Sequence, residues 1–375
     1  MRKQVMIWGY NGNGELGDGT TTNRLSPGVL NSNLDDYSTF VSAGPKTTGA
    51  ITPQDPFNGV VDNGLLYLWG QNTYGQLLDG TVTSRYSPYA AMSTMTAISI
   101  GDGYFTALRY GGGLWAGGKN NNGQIGENTI VNRNYAQQIG TNTYIAISSR
   151  NSTSHAIDIN GKLWGWGFNS YGQIGDGTTV SRSSPVQVAS AQSFIAITNG
   201  GTITAAISNT GAMWASGYNY NGALGNNSTT DKVPLGLVNN KSWKAVSSGG
   251  NHMMGIDTNN TLWTWGGNSD NGQLGDNTTI NRSSPVQIGS ANNWSSICGG
   301  FYNSYAITTG GDLYAWGYNN IGQLGDGTTV TRSSPVQIGA GHNWISVSTG
   351  NTNYANTVIG VYSLPNSQEN LVWFV

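Results

Sequence analysis

Apolar residues come along this chain in short bursts, such as His155–Ile159 (HAIDI), Lys162–Gly167 (KLWGWG) and Phe194–Thr198 (FIAIT), each ended by Gly, Asn or Asp. Bursts of four to six residues rich in β-branched and aromatic side chains predict β-strands, and no window keeps a helical period for ten residues. The links Asn160-Gly161, Asn209-Thr210-Gly211, Asn259-Asn260 and Gly310-Gly311 predict hairpin turns, where Gly and Asn accept a positive φ at little cost. The L-W-x-W-G burst is apolar on both parities, so the pattern predicts a strand covered on both sides.

The bursts repeat. Leu163–Val188, Leu262–Ile288 and Leu313–Ile338 are near-copies of one another, and two phase markers run the length of the chain. The glycine of the Trp-Gly step falls at Gly9, Gly70, Gly118, Gly167, Gly217, Gly266 and Gly317; the end of a V-x-x-G phrase falls at Gly44, Gly101, Arg150, Gly200, Gly249, Gly300 and Gly350. Both series count seven units of roughly 50 residues, with an insertion near 52–58 in the first. Four short strands per unit predict an all-β fold, a seven-bladed β-propeller of four-stranded antiparallel blades in one domain, 1–375. Ring closure is expected from pairing of the N- and C-terminal segments, with Gln4–Gly9 supplying the first strand. An open solenoid is the competing architecture; it would expose the apolar faces of its end units. The C-terminal segment 362–375 is irregular, and 370–375 (NLVWFV) reads as a surplus copy of the Trp strand.

Composition narrows the function classes. Only 9% of residues are charged and the formal net charge is −2, with basic residues scattered, so neither nucleic acid nor an anionic membrane is an expected partner. The start MRKQVMIWGY has too few apolar residues for a secretory signal, and no run approaches a membrane span. The single Cys298 excludes an internal disulfide and offers no metal cluster.

The phrase W-G-x-N-x-x-G-[QE]-[LI]-G-[DE], followed by V-x-x-G, resembles the regulator of chromosome condensation repeat over essentially the whole chain. Its Asn stands at Asn11, Asn72, Asn120, Asn169, Asn219, Asn268 and Asn319, and its Leu or Ile at Leu16, Leu77, Ile125, Ile174, Leu224, Leu274 and Leu324. Departures are Gly117 and Ser216 for Trp, Leu78 for Gly and Ala223 for Gln. The resemblance implies a seven-bladed propeller. It leaves the task open, because such propellers include a small-GTPase exchange factor, ubiquitin-ligase modules and secreted inhibitors of β-lactamase.

Several residue sets were candidates for chemistry. An acid followed six residues later by a base recurs as Asp18/Arg24, Asp79/Arg85, Glu127/Arg133, Asp176/Arg182, Asp276/Arg282 and Asp326/Arg332, with Asn226/Lys232 in the fifth unit. These read as bidentate ion pairs closing each unit's own loop, with a carboxylate ring for a cation as the alternative. His155, His252 and His342 fall at different phases of the repeat, which argues against a shared metal. There is no G-x-S-x-G elbow or helix-terminal phosphate loop, so neither enzyme activity nor a cofactor is expected. Aromatic residues just after the Trp-Gly step, Tyr74, Phe168, Tyr171, Tyr218 and Tyr318, form the candidate ligand-binding set, against the alternative that they pad neighbouring loops. Two irregular stretches, 52–58 and 364–369, are further places where function could sit.

Low charge, turns rich in Asn, Ser and Thr, and near-identical repeats lead to the expectation of a non-enzymatic binding or structural propeller. Its expected place is a virion surface or the cell exterior: a bacteriophage decoration, tail or fibre protein, or a bacterial surface protein. The expected partners are other virion or surface proteins, a glycan or a receptor. The alternatives are an intracellular regulator such as a small-GTPase exchange factor, or a secreted inhibitor of an enzyme.

Overall fold

The structure, a computed structural model, describes residues 3–30, 34, 40–52, 64–268, 270–350 and 356–364. Among them are strands and turns and no helix. The strands fall into four-stranded antiparallel units, numbered here as sheets one to seven. Sheet one is ordered Arg24–Val29, Lys3–Gly9, Thr357–Ser363, Asn343–Thr349, so the first described strand pairs with the last along all seven of its residues, from Lys3 opposite Ser363 to Gly9 opposite Thr357. Sheet two is Phe40–Ala43, Thr47–Thr52, Leu65–Gly70 and Arg85–Met92. Sheet three is Met95–Ile100, Tyr104–Arg109, Gly113–Gly118 and the first part of Arg133–Arg150; the rest of that strand opens sheet four, with Thr153–Asp158, Leu163–Gly167 and Arg182–Val188. Sheet five is Phe194–Asn199, Ile203–Ser208, Ala212–Gly217 and the first part of Lys232–Ser248, which runs on into sheet six with His252–Asp257, Leu262–Gly266 and Arg282–Gln287. Sheet seven is Trp294–Gly299, Asn303–Thr308, Leu313–Gly317 and Arg332–Ile338.

Two strands are therefore far longer than the bursts predict, at 18 and 17 residues. The segments joining sheets three to four and five to six keep pairing with the strand before them, Thr143 opposite Gly113 and Ser242 opposite Ala212, so no break separates the sheets. The insertion at 52–58 lies outside the described residues except for Thr52, as does the surplus strand 370–375.

Successive sheets pack through both faces, and each core cluster draws on two neighbours: Met6 and Trp8 of sheet one pack with Tyr305, Ile307 and Leu313 of sheet seven. This accounts for the apolar residues of both parities in the Trp strands. Two sets of polar contacts stitch the same seams. On the inside, a hydroxyl of one sheet accepts a backbone N–H of the next: Ser348 from Ala43, Ser42 from Ile100, Ser99 from Ser149, Ser148 from Asn199, Thr198 from Ser248 and Ser247 from Gly299, at 2.8–3.2 Å. Cys298 holds the corresponding place between sheets seven and one, against the Thr349 backbone.

Farther out, the second Trp of the phrase donates its indole N–H to a loop carbonyl of the preceding unit. Trp69 reaches Glu15, Trp166 Gln124, Trp265 Ala223, Trp316 Gln273 and Trp8 Gln323, at 2.7–3.0 Å. The loop glycine beside that carbonyl has to lack a side chain, since a Cβ on Gly17 would press into the Trp69 ring. Where Trp is replaced by Gly117, the matching loop glycine is replaced too: Leu78 fills the vacated space, and any side chain at 117 would meet its methyl group. Leu78 takes this position although its φ of +60° costs a residue with a Cβ about 1–2 kcal/mol.

Gly117→Trp alone should therefore destabilise the protein by about 1–3 kcal/mol through overpacking. Gly117→Trp with Leu78→Gly rebuilds the seam used elsewhere and should recover most of that loss. Urea unfolding of both singles and the double would show a coupling of at least about 1 kcal/mol; additive effects would mean that the two positions do not share one space.

Candidate functional site

In each unit the chain leaves the Trp strand through a glycine held in the left-handed region. At Gly167, φ is +95°, and a Cβ would run into the Ser152 carbonyl oxygen. The turn brings the following loop beside the hairpin that carries the second phase marker: Phe168 N–H donates to Ser152 O, Tyr218 to Thr202 O and Tyr318 to Tyr302 O. One edge of every sheet thus presents both loops.

A buried asparagine organises the loop. Asn169 accepts the Ile174 N–H at 2.8 Å and donates to Asp176 at 3.3 Å, Thr178 O at 3.0 Å and Val180 O at 3.1 Å. The equivalent Asn is fully buried in all seven units and accepts from the Leu or Ile N–H at 2.8–2.9 Å. The acid–base pairs lie around it. Asp18/Arg24, Asp79/Arg85, Glu127/Arg133, Asp176/Arg182, Asp276/Arg282 and Asp326/Arg332 are 2.6–2.9 Å apart, each within its own unit.

The two-oxygen pairing expected from sequence occurs at Glu127, whose oxygens lie 2.8 and 3.0 Å from Arg133 Nε. At Asp79, Asp176, Asp276 and Asp326 the arginine takes Oδ2, because Oδ1 is already occupied by a Thr hydroxyl and N–H and by the clamp Asn. Burial raises the pKa of these aspartates, and the Thr and Arg contacts outweigh it, leaving them below the ordinary carboxylate range. In the fifth unit, where Asn226 replaces the acid, Lys232 turns to the Leu237 carbonyl.

The aromatic set divides. Phe168, Tyr171 and Tyr218 form one run of edge-to-face contacts with centroids 6.4 and 5.2 Å apart, which Tyr220 extends by stacking on Tyr218. Tyr171 and Tyr220 are 39% and 71% exposed, so the crescent presents ring surface to solvent. Tyr318 belongs to a second group with Tyr302 and Phe301, and Tyr74 sits under the Lys119 ammonium, which pairs with Asp102 at 2.7 Å. Beside the crescent lies a depression of about 550 Å³ to which several sheets contribute, including Lys46, Asp102, Asn151, Phe168 and Phe301. Sequence reasoning missed Tyr220, Phe301 and Tyr302, although Tyr220 is readable as the second Tyr of G-Y-N-Y.

It also passed over Arg150, the one non-glycine in the second marker series. Its guanidinium reaches across to backbone carbonyls of three other sheets: Ser248, Gly299 at 2.7 Å and Thr349 at 3.5 Å. Burial draws its pKa down to about 10, so it remains a cation at neutral pH. The histidines are scattered. His155 is buried with Nε2 on the Ile174 carbonyl, His252 is buried with Nε2 on Ser304, and His342 packs on Trp344. Burial lowers the pKa of His155 to about 4; burial, then the Arg150 charge, lowers that of His252 to about 3.

The sequence profile of the Regulator of chromosome condensation (RCC1) repeat matches residues 160–207, 259–307 and 310–354, and a second profile of the same repeat matches 243–273 and 294–323. The chain carries repeats of the RCC1-like family. Among curated relatives of this RCC1-like propeller, the ultraviolet-B receptor UVR8 of Arabidopsis thaliana is 31% identical over 134 residues, 35% of this chain and 28% of that protein. The probable E3 ubiquitin-protein ligase HERC4 of Homo sapiens is 30% identical over 131 residues, 34% of this chain and 12% of that protein. The match thus spans well under half of either relative.

In fold, the chain is similar to human WBSCR16, with a TM-score of 0.85 and 18% identity over 96% of this chain and 100% of the other. It is also similar to Prp20p of Saccharomyces cerevisiae, with a TM-score of 0.84 and 16% identity over 98% and 93%. The yeast RCC1 (Prp20) structure with Kap60 bound gives 0.82 and 16% over 97% and 90%. These likenesses correct the expected location. Prp20, UVR8 and HERC4 are nuclear or cytosolic proteins, and the placement on a virion surface or outside the cell does not stand.

Replacing Arg150 by the glycine usual in the repeat should cost about 1–3 kcal/mol, since three enclosed carbonyls lose charged donors. Hydrogen exchange should quicken in sheets three and four, which it ties to the rest; unchanged exchange there would refute this role. The histidines set a pH dependence. Both are neutral in the folded protein, whereas the unfolded chain takes up protons below its ordinary value of about 6.5. Their contribution is complete above pH 6.5 and is lost as pH falls towards 4 for His155 and 3 for His252. The urea midpoint should fall between pH 6.5 and 4.5, and less steeply in His155→Gln and His252→Gln.

Proposed function

We propose that this chain is a non-enzymatic, protein-docking propeller of the regulator type, its seven sheets forming a closed seven-bladed ring. Closure is supported by pairing of Lys3–Gly9 with Thr357–Ser363 and by seam contacts between sheets seven and one, Trp8 on Gln323 and Cys298 beside Thr349. The observation carrying the docking function is the crescent Phe168–Tyr171–Tyr218–Tyr220. Exposed, mutually braced aromatic rings are the side chains from which binding hot spots are built, because they bury much area with little loss of freedom. The face is otherwise amide-rich and nearly neutral, which suits a protein partner better than a polyanion.

The relatives supply the partner class to try first. Prp20p has been characterised for binding to Gsp1p and histones, and its complex with Kap60 has been solved. The net charge of −2 disfavours DNA, a polyanion, and attracts a basic histone tail only weakly. A folded partner of the small-GTPase kind is therefore the first to try against this face.

Binding to an immobilised panel of small GTPases, nucleotide-free and loaded, tests this reading. Tyr171→Ala with Tyr218→Ala should weaken capture by about thirty-fold or more while leaving the unfolding midpoint within a degree or so of wild type. A double variant that binds as tightly as wild type would remove the crescent from the interface. Failure of every GTPase to bind would reject that partner class.

A further inference from the structure

The sixth unit breaks the repeat twice at one place. The residue after the Trp-Gly step is Tyr10, Gln71, Lys119, Phe168, Tyr218 and Tyr318 in the other units, but Gly267 in the sixth. The missing side chain leaves a notch of about 380 Å³, within the roughly 300–1,000 Å³ range of small-molecule sites. The loop beyond it is also one residue longer: Leu274 N–H reaches back six positions to Asn268, where every other unit reaches back five.

That extra residue changes what the loop glutamine does. In four other units the glutamine Oε1 accepts the N–H two residues earlier: Gln76 from Tyr74, Gln124 from Asn122, Gln173 from Tyr171 and Gln323 from Ile321. Gln273 is 2% exposed, lines the notch, and its Oε1 has no partner. Its backbone is fixed, since its carbonyl accepts both Trp316 Nε1 and Ser304 Oγ. A buried acceptor left unmatched on a fixed element costs about 1–3 kcal/mol unless something donates to it. Asp270, one of the few non-glycine residues at positive φ (+65°), stands at the rim.

The remaining lining is Asn221, Asn251, Asn271 and Tyr302. Amides offer donors and acceptors side by side. An ammonium or guanidinium only donates, and would leave the amide NH2 groups facing a cation. A ring bearing vicinal hydroxyls both donates and accepts, and its C–H face can lie on an aromatic wall such as Tyr302. We infer that the notch around Gly267 is a binding site for a pyranose, its hydroxyls bridging the asparagines and Asp270, the Gln273 amide turning out of its enclosed position to accept one of them, and the sugar face against Tyr302. The site is separate from the crescent residues Phe168 and Tyr171.

The test is saturation-transfer NMR and calorimetry on the full chain with a panel of methyl glycosides, repeated with the preferred sugar carried on a glycopeptide to tell a free saccharide from a glycan. Gly267→Tyr restores the residue found in three other units. Gly267 lacks a positive φ, and a Cβ there would meet Asn251 O at 3.1 Å, a tight contact relieved by a shift of a few tenths of an ångström, so the variant should fold with an unfolding midpoint lowered by no more than a few degrees. At least one glycoside should bind with a millimolar dissociation constant, weakened about tenfold or more in Gly267→Tyr and in Tyr302→Ala. Binding that survives Gly267→Tyr, no response to any glycoside, or an arginine-containing peptide seated in the notch where sugars fail would each overturn the assignment.

Discussion

The contact between one sheet and the next is the interaction on which this molecule depends. A four-stranded sheet with apolar residues on both faces has no stable existence in water, so each sheet must be covered twice. Hydrophobic contact supplies most of the energy but no register, because apolar surfaces slide. Register comes from the polar stitches, an inner hydroxyl under a backbone N–H and an outer indole N–H on a loop carbonyl. Each contributes only about 0.5–1.5 kcal/mol net, yet leaving one unmade in a buried seam costs more than making it gains. That asymmetry gives the repeated sequence its fixed spacing: a shifted seam would orphan an indole and several amides at once.

The loops of the presented edge rest on these seams. The carbonyl that receives the Trp indole belongs to the residue just before the clamped Leu or Ile, so the staple and the Asn clamp fix the same short stretch from two sides. What remains free is the solvent-facing position just after Trp-Gly. The internal rule of the repeat is thus strict and nearly symmetric, while the residues that vary stand at positions that the seams ignore.

This division decides what was legible in the sequence. The Trp and Gly positions could be read because the seam demands the same residue in each unit; the Asn and the acid–base pairs could be read because each unit's own loop closes in the same way. The Gly117 and Leu78 departures are visible in sequence, but only three dimensions show that the leucine occupies the place of the missing indole. The aromatic residues were individually visible, and their separation into a crescent, a second group and a lone Tyr74 was not, since it depends on which neighbour each ring meets. The extracellular reading failed for a physical reason. It took abundant Asn, Ser and Thr as the mark of an outward-facing surface, whereas many of them are internal: the clamp asparagines are fully buried, and Ser42, Ser149 and Ser248 lie buried between neighbouring sheets.

The exceptions to the seam rule also explain Arg150. Trp is missing at 117 and 216, so the outer staple is absent between sheets two and three and between sheets four and five. Sheets three and four are joined to each other by the continuous strand Arg133–Arg150 and by Trp166 on Gln124, and so form a pair with weaker stitching on both flanks. Arg150 stands at the end of that shared strand and reaches Ser248, Gly299 and Thr349, which belong to sheets six, seven and one. A glycine at this position could make none of these contacts. The cation ties the pair to sheets six, seven and one, which keep their staples. Because Asn151, the next residue, lines the depression on the presented face, movement of this pair would be felt at the proposed docking surface first.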